Sequence, residues 1–192
     1  MLHRWIKISA LGLALALGGG ISYYYLSSSK KTSCAPHSDL ISPFNEARDM
    51  ADVKALFVRD WQWLSVREYS DERLDFMLKG RAPNEYEPRY FGKMEIRVLR
   101  EKDGAFVGFI TYYMKNAYDG HILFLAIEPS FRGRRFADKL LDYAIADLKC
   151  MGAQFVTLVT YPNNESGIKL YRRYGFTESR DERYVYFMIP AK

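Results

Sequence analysis

Three arginines, Arg132, Arg134 and Arg135, fall within four residues, where an apolar run ends and an amphipathic one begins. Residues 125–141 read Leu-Ala-Ile-Glu-Pro-Ser-Phe-Arg-Gly-Arg-Arg-Phe-Ala-Asp-Lys-Leu-Leu. A buried strand there runs into a short basic turn, and the turn opens a helix. The first amides of a helix lack intrahelical partners and carry partial positive charge, so they can seat a phosphate. The added arginine charge fits a pyrophosphate. A solvated basic loop is the other reading, and the turn alone leaves both open. In a second stretch, residues 164–176, Asn164 can cap a helix, and Tyr171 follows two helical turns later on the same face. With an ordinary pKa of about 10, a tyrosine is protonated at neutral pH and can donate to a leaving group. A packed core aromatic is the other reading of Tyr171.

The elements that must position these groups follow from hydrophobic spacing. Residues 40–44 form a short strand. Asp49 or Asp52 caps a helix running through Val53, Leu56, Phe57, Trp61 and Leu64, and a second helix covers residues 71–78. Residues 94–100 and 105–114 form a hairpin around Asp103-Gly104. Residues 121–127 are apolar almost throughout, which predicts a strand buried on both faces. A helix over 136–148, a strand over 154–160, a helix over 165–174 and a final strand over 184–189 complete the chain. The order is β-αα-βββ-α-β-α-β, an α/β fold with a mixed central sheet. The strand–helix–strand unit at 121–160 implies a parallel pair with a right-handed crossover.

The chain has 192 residues, 48% of them apolar and 27% charged, which excludes a disordered polymer and allows one domain with an appendage. The net charge of +5 is compact rather than striped, so no nucleic-acid partner is expected. Two cysteines and three scattered histidines make neither a disulfide framework nor a metal site; Cys150 is expected to be a small buried residue. Residues 8–29 carry no charge. As a helix those 22 residues would reach about 33 Å, enough for a hydrocarbon core of about 30 Å. Residues 1–29 are therefore expected to be a single-pass membrane anchor, with a cleaved signal peptide and export as the alternative. Residues 30–39 read as a polar linker and 40–192 as the folded domain.

The two site stretches together resemble the GNAT superfamily of N-acetyltransferases. Its Arg/Gln-x-x-Gly-x-Gly/Ala motif is opened here by Arg132 and closed by Ala137, and its Asn-x-x-Ala-x-x-Leu-Tyr-x-x-x-Gly-Phe motif is matched by Asn164, Leu170, Tyr171, Gly175 and Phe176. Gly167 stands where that motif has Ala, and Arg135 stands where the family has an inner Gly. Arg is accommodated at 135 if the backbone there is already helical and the side chain points outward.

The resemblance implies acetyl-CoA as co-substrate, no metal, and direct attack by a primary amine of a small molecule or protein. It implies that the strands at 121–127 and 154–160 splay apart and that the pantetheine arm pairs with Leu125, Ala126 and Ile127. The pyrophosphate would meet the amides of Gly133, Arg134, Arg135, Phe136, Ala137 and Asp138, with Arg132 and Arg134 near the phosphates and Asn164 on the arm. Tyr171 would protonate the thiolate. Glu128 is the first candidate for the base, with a base acting through water as the alternative. Some of the family's ribosomal-protein N-acetyltransferases carry a fifth-strand Glu; this chain has Val159 there, so it does not resemble that subgroup. Trp61, Trp63, Tyr86, Tyr112, Tyr113 and Tyr118 are candidates to line the acceptor pocket or to pack as core. A non-catalytic acyl-CoA-binding domain on a membrane is the rival function.

Overall fold

The computed structural model describes residues 37–64, 70, 74 and 94–191. The expected anchor at 1–29, most of the 30–39 linker, Tyr86, and the expected helix at 71–78 apart from Leu74 lie outside the described residues. Among the described residues no helix is long and apolar enough to cross a membrane.

The order is β1 (Ile41–Pro43), α1 (Glu46–Arg59), α2 (Trp61–Leu64), β2 (Glu95–Arg100), β3 (Phe106–Met114), β4 (Asp119–Ile127), a single 3-10 turn (Pro129–Phe131), α3 (Phe136–Cys150), β5 (Phe155–Thr160), α4 (Glu165–Arg173), β6 (Thr177–Arg180) and β7 (Val185–Pro190). One seven-stranded mixed sheet runs β1-β2-β3-β4-β5-β7-β6. β4 and β5 are its parallel pair, joined through α3. The sequence reading has no counterpart to β6, whose residues Thr-Glu-Ser-Arg show no apolar alternation.

Helix α1 starts earlier than expected. Asn45 caps it by accepting from the Arg48 amide at 3.1 Å. Asp49 is not a cap; it is completely buried one turn in. Its carboxylate accepts from the Asn45 amide, from Arg48 and from Arg100 of β2. On the other face of the sheet, Asp147 of α3 accepts from Arg97 at 3.2 Å and from the Tyr112 hydroxyl at 2.5 Å. These two clusters fix α1 and α3 against opposite faces.

Each face has its own core. Val53, Leu56, Phe57 and Leu74 pack with Ile96, Val98, Phe109, Phe124 and Ala126 on the α1 side. Leu140, Leu141, Ala144 and Leu148 pack with Ile110, Tyr112, Ile122, Val156, Leu158, Tyr171 and Phe187 on the α3 side. β4 serves both. It was expected to be buried on both faces, but its residues alternate between fully and partly buried. In its pairing with β3, Thr111 faces Phe124 and Tyr112 faces Ile122, so Leu123 is an extra residue, a β-bulge. Leu123 and Phe124 both pack toward the α1 core, whereas Ile122 and Leu125 pack toward α3. The bulge switches which residues face which side.

Candidate active site

The bulge also marks where β4 leaves β5. The parallel pairing runs from Asp119–Phe155 to Ile122–Leu158 and stops, while β4 stays paired to β3 as far as Ile127. A bulge bends its strand and sharpens its twist. Beyond it, Leu123 to Ile127 turn one backbone edge toward a cleft instead of a neighbour. That cleft is about 810 Å³ and is lined by residues 122–127 of β4, 158–160 of β5, the turn before α3, and α4.

At one end of the cleft lies the start of α3. No side chain caps this helix, whereas Asn45 and Asn164 cap α1 and α4. The first intrahelical bond to Arg135 comes from the Lys139 amide, at a long 3.4 Å. The amides of Phe136, Ala137 and Asp138 thus precede the helical ladder and border the cleft. Gly133 has φ +78, the left-handed region that glycine enters without strain.

Arg135 also lies in that region, at φ 62 and ψ 22, alone among non-glycine residues in the described part of the chain. The condition of a helical backbone at this position is not met, and the loop's positive φ before the helix begins is one that a glycine would adopt without strain. For an L-residue this costs about 1–2 kcal/mol, while a glycine costs about 0.5–1 kcal/mol more in unfolded-chain entropy. Arg135→Gly is therefore expected to raise stability by about 0.5–1 kcal/mol, read as a higher Tm. A lower Tm would mean that the Arg135–Asp138 contact, at 3.7 Å, outweighs the strain.

The arginines divide. Arg132 lines the cleft, held by donation to the Ile127 carbonyl at 2.9 Å and to Asp60 at 2.5 Å. Arg134 is not among the cleft residues; it donates to Glu101 at 3.1 Å, and its guanidinium lies 5.2 and 5.0 Å from the ring centres of Phe131 and Phe136. Asp138 puts a carboxylate at the helix start. Burial pushes its pKa up, but Arg173 at 2.7 Å and then Arg135 outweigh that and hold it below the ordinary carboxylate value.

Glu128 leaves the end of β4 away from the cleft. Both carboxylate oxygens accept from Arg59, at 3.1 and 3.2 Å, and the residue is not among those lining the cleft. With the Asp60–Arg132 pair, this contact clamps the end of α1 onto the basic turn. Asn164 lines the cleft with its carboxamide engaged on both sides: its Oδ1 accepts from the Gly167 amide at 3.1 Å, and its Nδ2 donates to Thr160 at the end of β5 at 2.9 Å. A Cβ on residue 167 would come within 2.7 Å of that carboxamide. Gly167, in place of the family's Ala, goes with this tucked Asn164.

Tyr171 reaches the cleft from α4, buried to 8% exposure against Phe187 and Phe176. Burial pushes its phenol pKa up to about 12. Of the aromatics expected near the acceptor, Tyr112 and Tyr113 are core residues at 0% and 1% exposure. Trp61 is partly buried beside Phe57. Trp63 is 40% exposed and lines the cleft; Tyr118 is exposed but does not. Cys150 is partly buried and is not a free thiol. Asp60 and Arg173 went unnoticed in the sequence, since only the fold brings them to the cleft.

The fold that holds this strand pair, helix start and tyrosine is shared with known proteins. The model of the acetyltransferase (GNAT) family matches residues 50–176. The chain belongs to this family. Among curated relatives, a spore coat polysaccharide biosynthesis protein, SpsD, of Bacillus subtilis is 29% identical over 53% of this chain and 34% of its own length. The mycothiol acetyltransferase of Propionibacterium freudenreichii is 29% identical over 58% of this chain and 36% of its own length. The chain thus spans about a third of the curated relatives it matches. The PaiA N-acetyltransferase of Thermoplasma acidophilum, solved with coenzyme A, shares the fold, with a TM-score of 0.61 at 18% identity over 78% of this chain and 97% of that one. In this GNAT domain the cleft between β4 and β5 is the candidate coenzyme site.

Proposed function

We propose that this chain transfers an acetyl group from acetyl-CoA to a primary amine by direct attack. The observation that carries the reading is the backbone edge of Leu123–Ile127, freed from β5 and leading to the uncapped start of α3. Such an edge can pair with an extended amide-bearing arm, as another strand would. The helix start offers amides and partial positive charge to phosphates, and Arg132 stands in the cleft beside it, paired with Asp60. The family match and a relative named as an acetyltransferase support acyl transfer rather than binding alone.

In this reading the amine attacks the thioester carbonyl carbon, the carbon–sulfur bond breaks, and Tyr171 supplies the proton taken by the sulfur. Glu128, tied to Arg59 outside the cleft, is a poor choice to receive the amine's proton. That proton is assigned to solvent.

The test is titration of acetyl-CoA with thermal shift, since a ligand that binds only the folded state must stabilise it. Arg132→Ala is expected to weaken binding about tenfold, and the loss should shrink as salt rises. Arg134→Ala should change affinity by less than about twofold, because Arg134 does not line the cleft and pairs with Glu101 outside it. Equal losses in the two variants would place both charges on the phosphates. No thermal shift in the native protein would remove the coenzyme reading.

A further inference from the structure

We infer that the amine accepted by this chain is carried on a sugar ring, seated against Tyr161, Tyr184 and Tyr186; the inference rests on the acetyl-transfer reading above. Val159 and Tyr186 face each other across the β5–β7 pair. Side chains two residues apart along an extended chain return to the same face, which sets Tyr161 beside Val159 and Tyr184 beside Tyr186. Val185 and Phe187 point the other way, into the α3-side core. The three rings touch in series, with centroids 6.0 Å apart for Tyr161–Tyr184 and 6.2 Å for Tyr184–Tyr186. Val159 is 37% exposed and lines the cleft, so the row of rings begins at the cleft's lip. Trp63 lines the same cleft.

The geometry selects among amines. The rings meet at 52° and 84°, forming corners rather than one flat plate. A planar aryl amine would favour parallel faces, whereas a chair-shaped sugar presents C–H groups in several directions. Its hydroxyls need polar partners, and the row carries phenols along with its ring faces. Asp181 holds one of them in place: its carboxylate accepts from the Tyr186 hydroxyl at 2.6 Å and from the Arg183 and Tyr184 amides at 2.7 Å. A polycationic amine is disfavoured by the net charge of +5. An amino sugar brings one amine, an apolar face and several hydroxyls.

The experiment compares glucosamine with its open-chain reduction product, glucosaminitol, which keeps the amine and the carbon chain but loses the ring. The full chain is used with saturating acetyl-CoA. The native protein is expected to favour glucosamine in kcat/KM by about tenfold, the order that one aromatic contact is worth. Tyr184→Leu should bring that ratio near unity through KM, with acetyl-CoA affinity unchanged, and Tyr184→Phe should retain the preference. If Tyr184→Leu does not fold, Tyr186→Leu at the more exposed ring takes its place. Equal use of the two amines, a ratio unmoved by loss of the ring, or acetylation of other amines but not glucosamine would overturn the inference. Failure of the underlying reading looks different: acetyl-CoA does not bind, or no amine is acetylated.

Discussion

Replacing Tyr171 with Phe is expected to lower kcat about a hundredfold while leaving acetyl-CoA affinity within about twofold. General acids contribute about 10²–10⁴-fold, and the lower end applies here. Burial raises the phenol to about 12, which makes it a weaker acid than an ordinary tyrosine. The same burial keeps it protonated at every pH where the protein works. The pH profile of the native protein should therefore rise as the amine loses its proton and show no falling limb from Tyr171 until pH nears 12. The variant should keep its fold, since the ring contacts with Phe176 and Phe187 do not involve the hydroxyl. Equal kcat in the two proteins would take Tyr171 out of the acid role and return it to the core.

The largest expected loss of stability comes from Asp49. Asp49→Ala should cost about 3 kcal/mol, measured by urea unfolding, because it strips a fully buried carboxylate from Arg48, Arg100 and the Asn45 amide. Burial alone would raise the Asp49 pKa; the Arg48, Asn45 and Arg100 hydrogen bonds overcome it and set the folded value below 3.8. A depressed carboxylate stabilises the fold at pH above its unfolded value, and the contribution is lost as pH falls through the folded value. The native protein should therefore lose stability below about pH 4, and Asp49→Ala should lose less over that range. Parallel acid curves for the two proteins would show that other carboxylates govern acid unfolding.

Much of this architecture was legible in the sequence, and the misses have physical reasons. β4, α3 and α4 announce themselves because burial imposes an apolar period on their residues, and the basic turn stands out because three arginines interrupt that period. Asn164 is visible as a cap because a cap is local. β6 escaped because an edge strand buries little, so its residues can be Thr, Glu, Ser and Arg. The α1 start was misplaced because Asp49, a good cap by type, is bound instead by Arg100, 51 residues away. Glu128 read as a free base because its partner Arg59 is 69 residues distant. Arg135 looked tolerable in a helix because an arginine leaves no mark of a positive φ, whereas the glycine it replaces would.

The single extra residue at Leu123 has a wider meaning. It is a change of parity in the middle of the sheet. Counting by twos along β4, Gly120 and Ile122 belong to one layer, and without the insertion Phe124 and Ala126 would join them. With it, those two fill the layer beneath α1. The same insertion lies where β4 parts from β5. Cleft shape and the filling of both layers therefore share one determinant, and drift in one must be answered by drift in the other. Leu123 is a partly buried leucine in no motif, yet it ties the geometry of the cleft to the stability of the molecule.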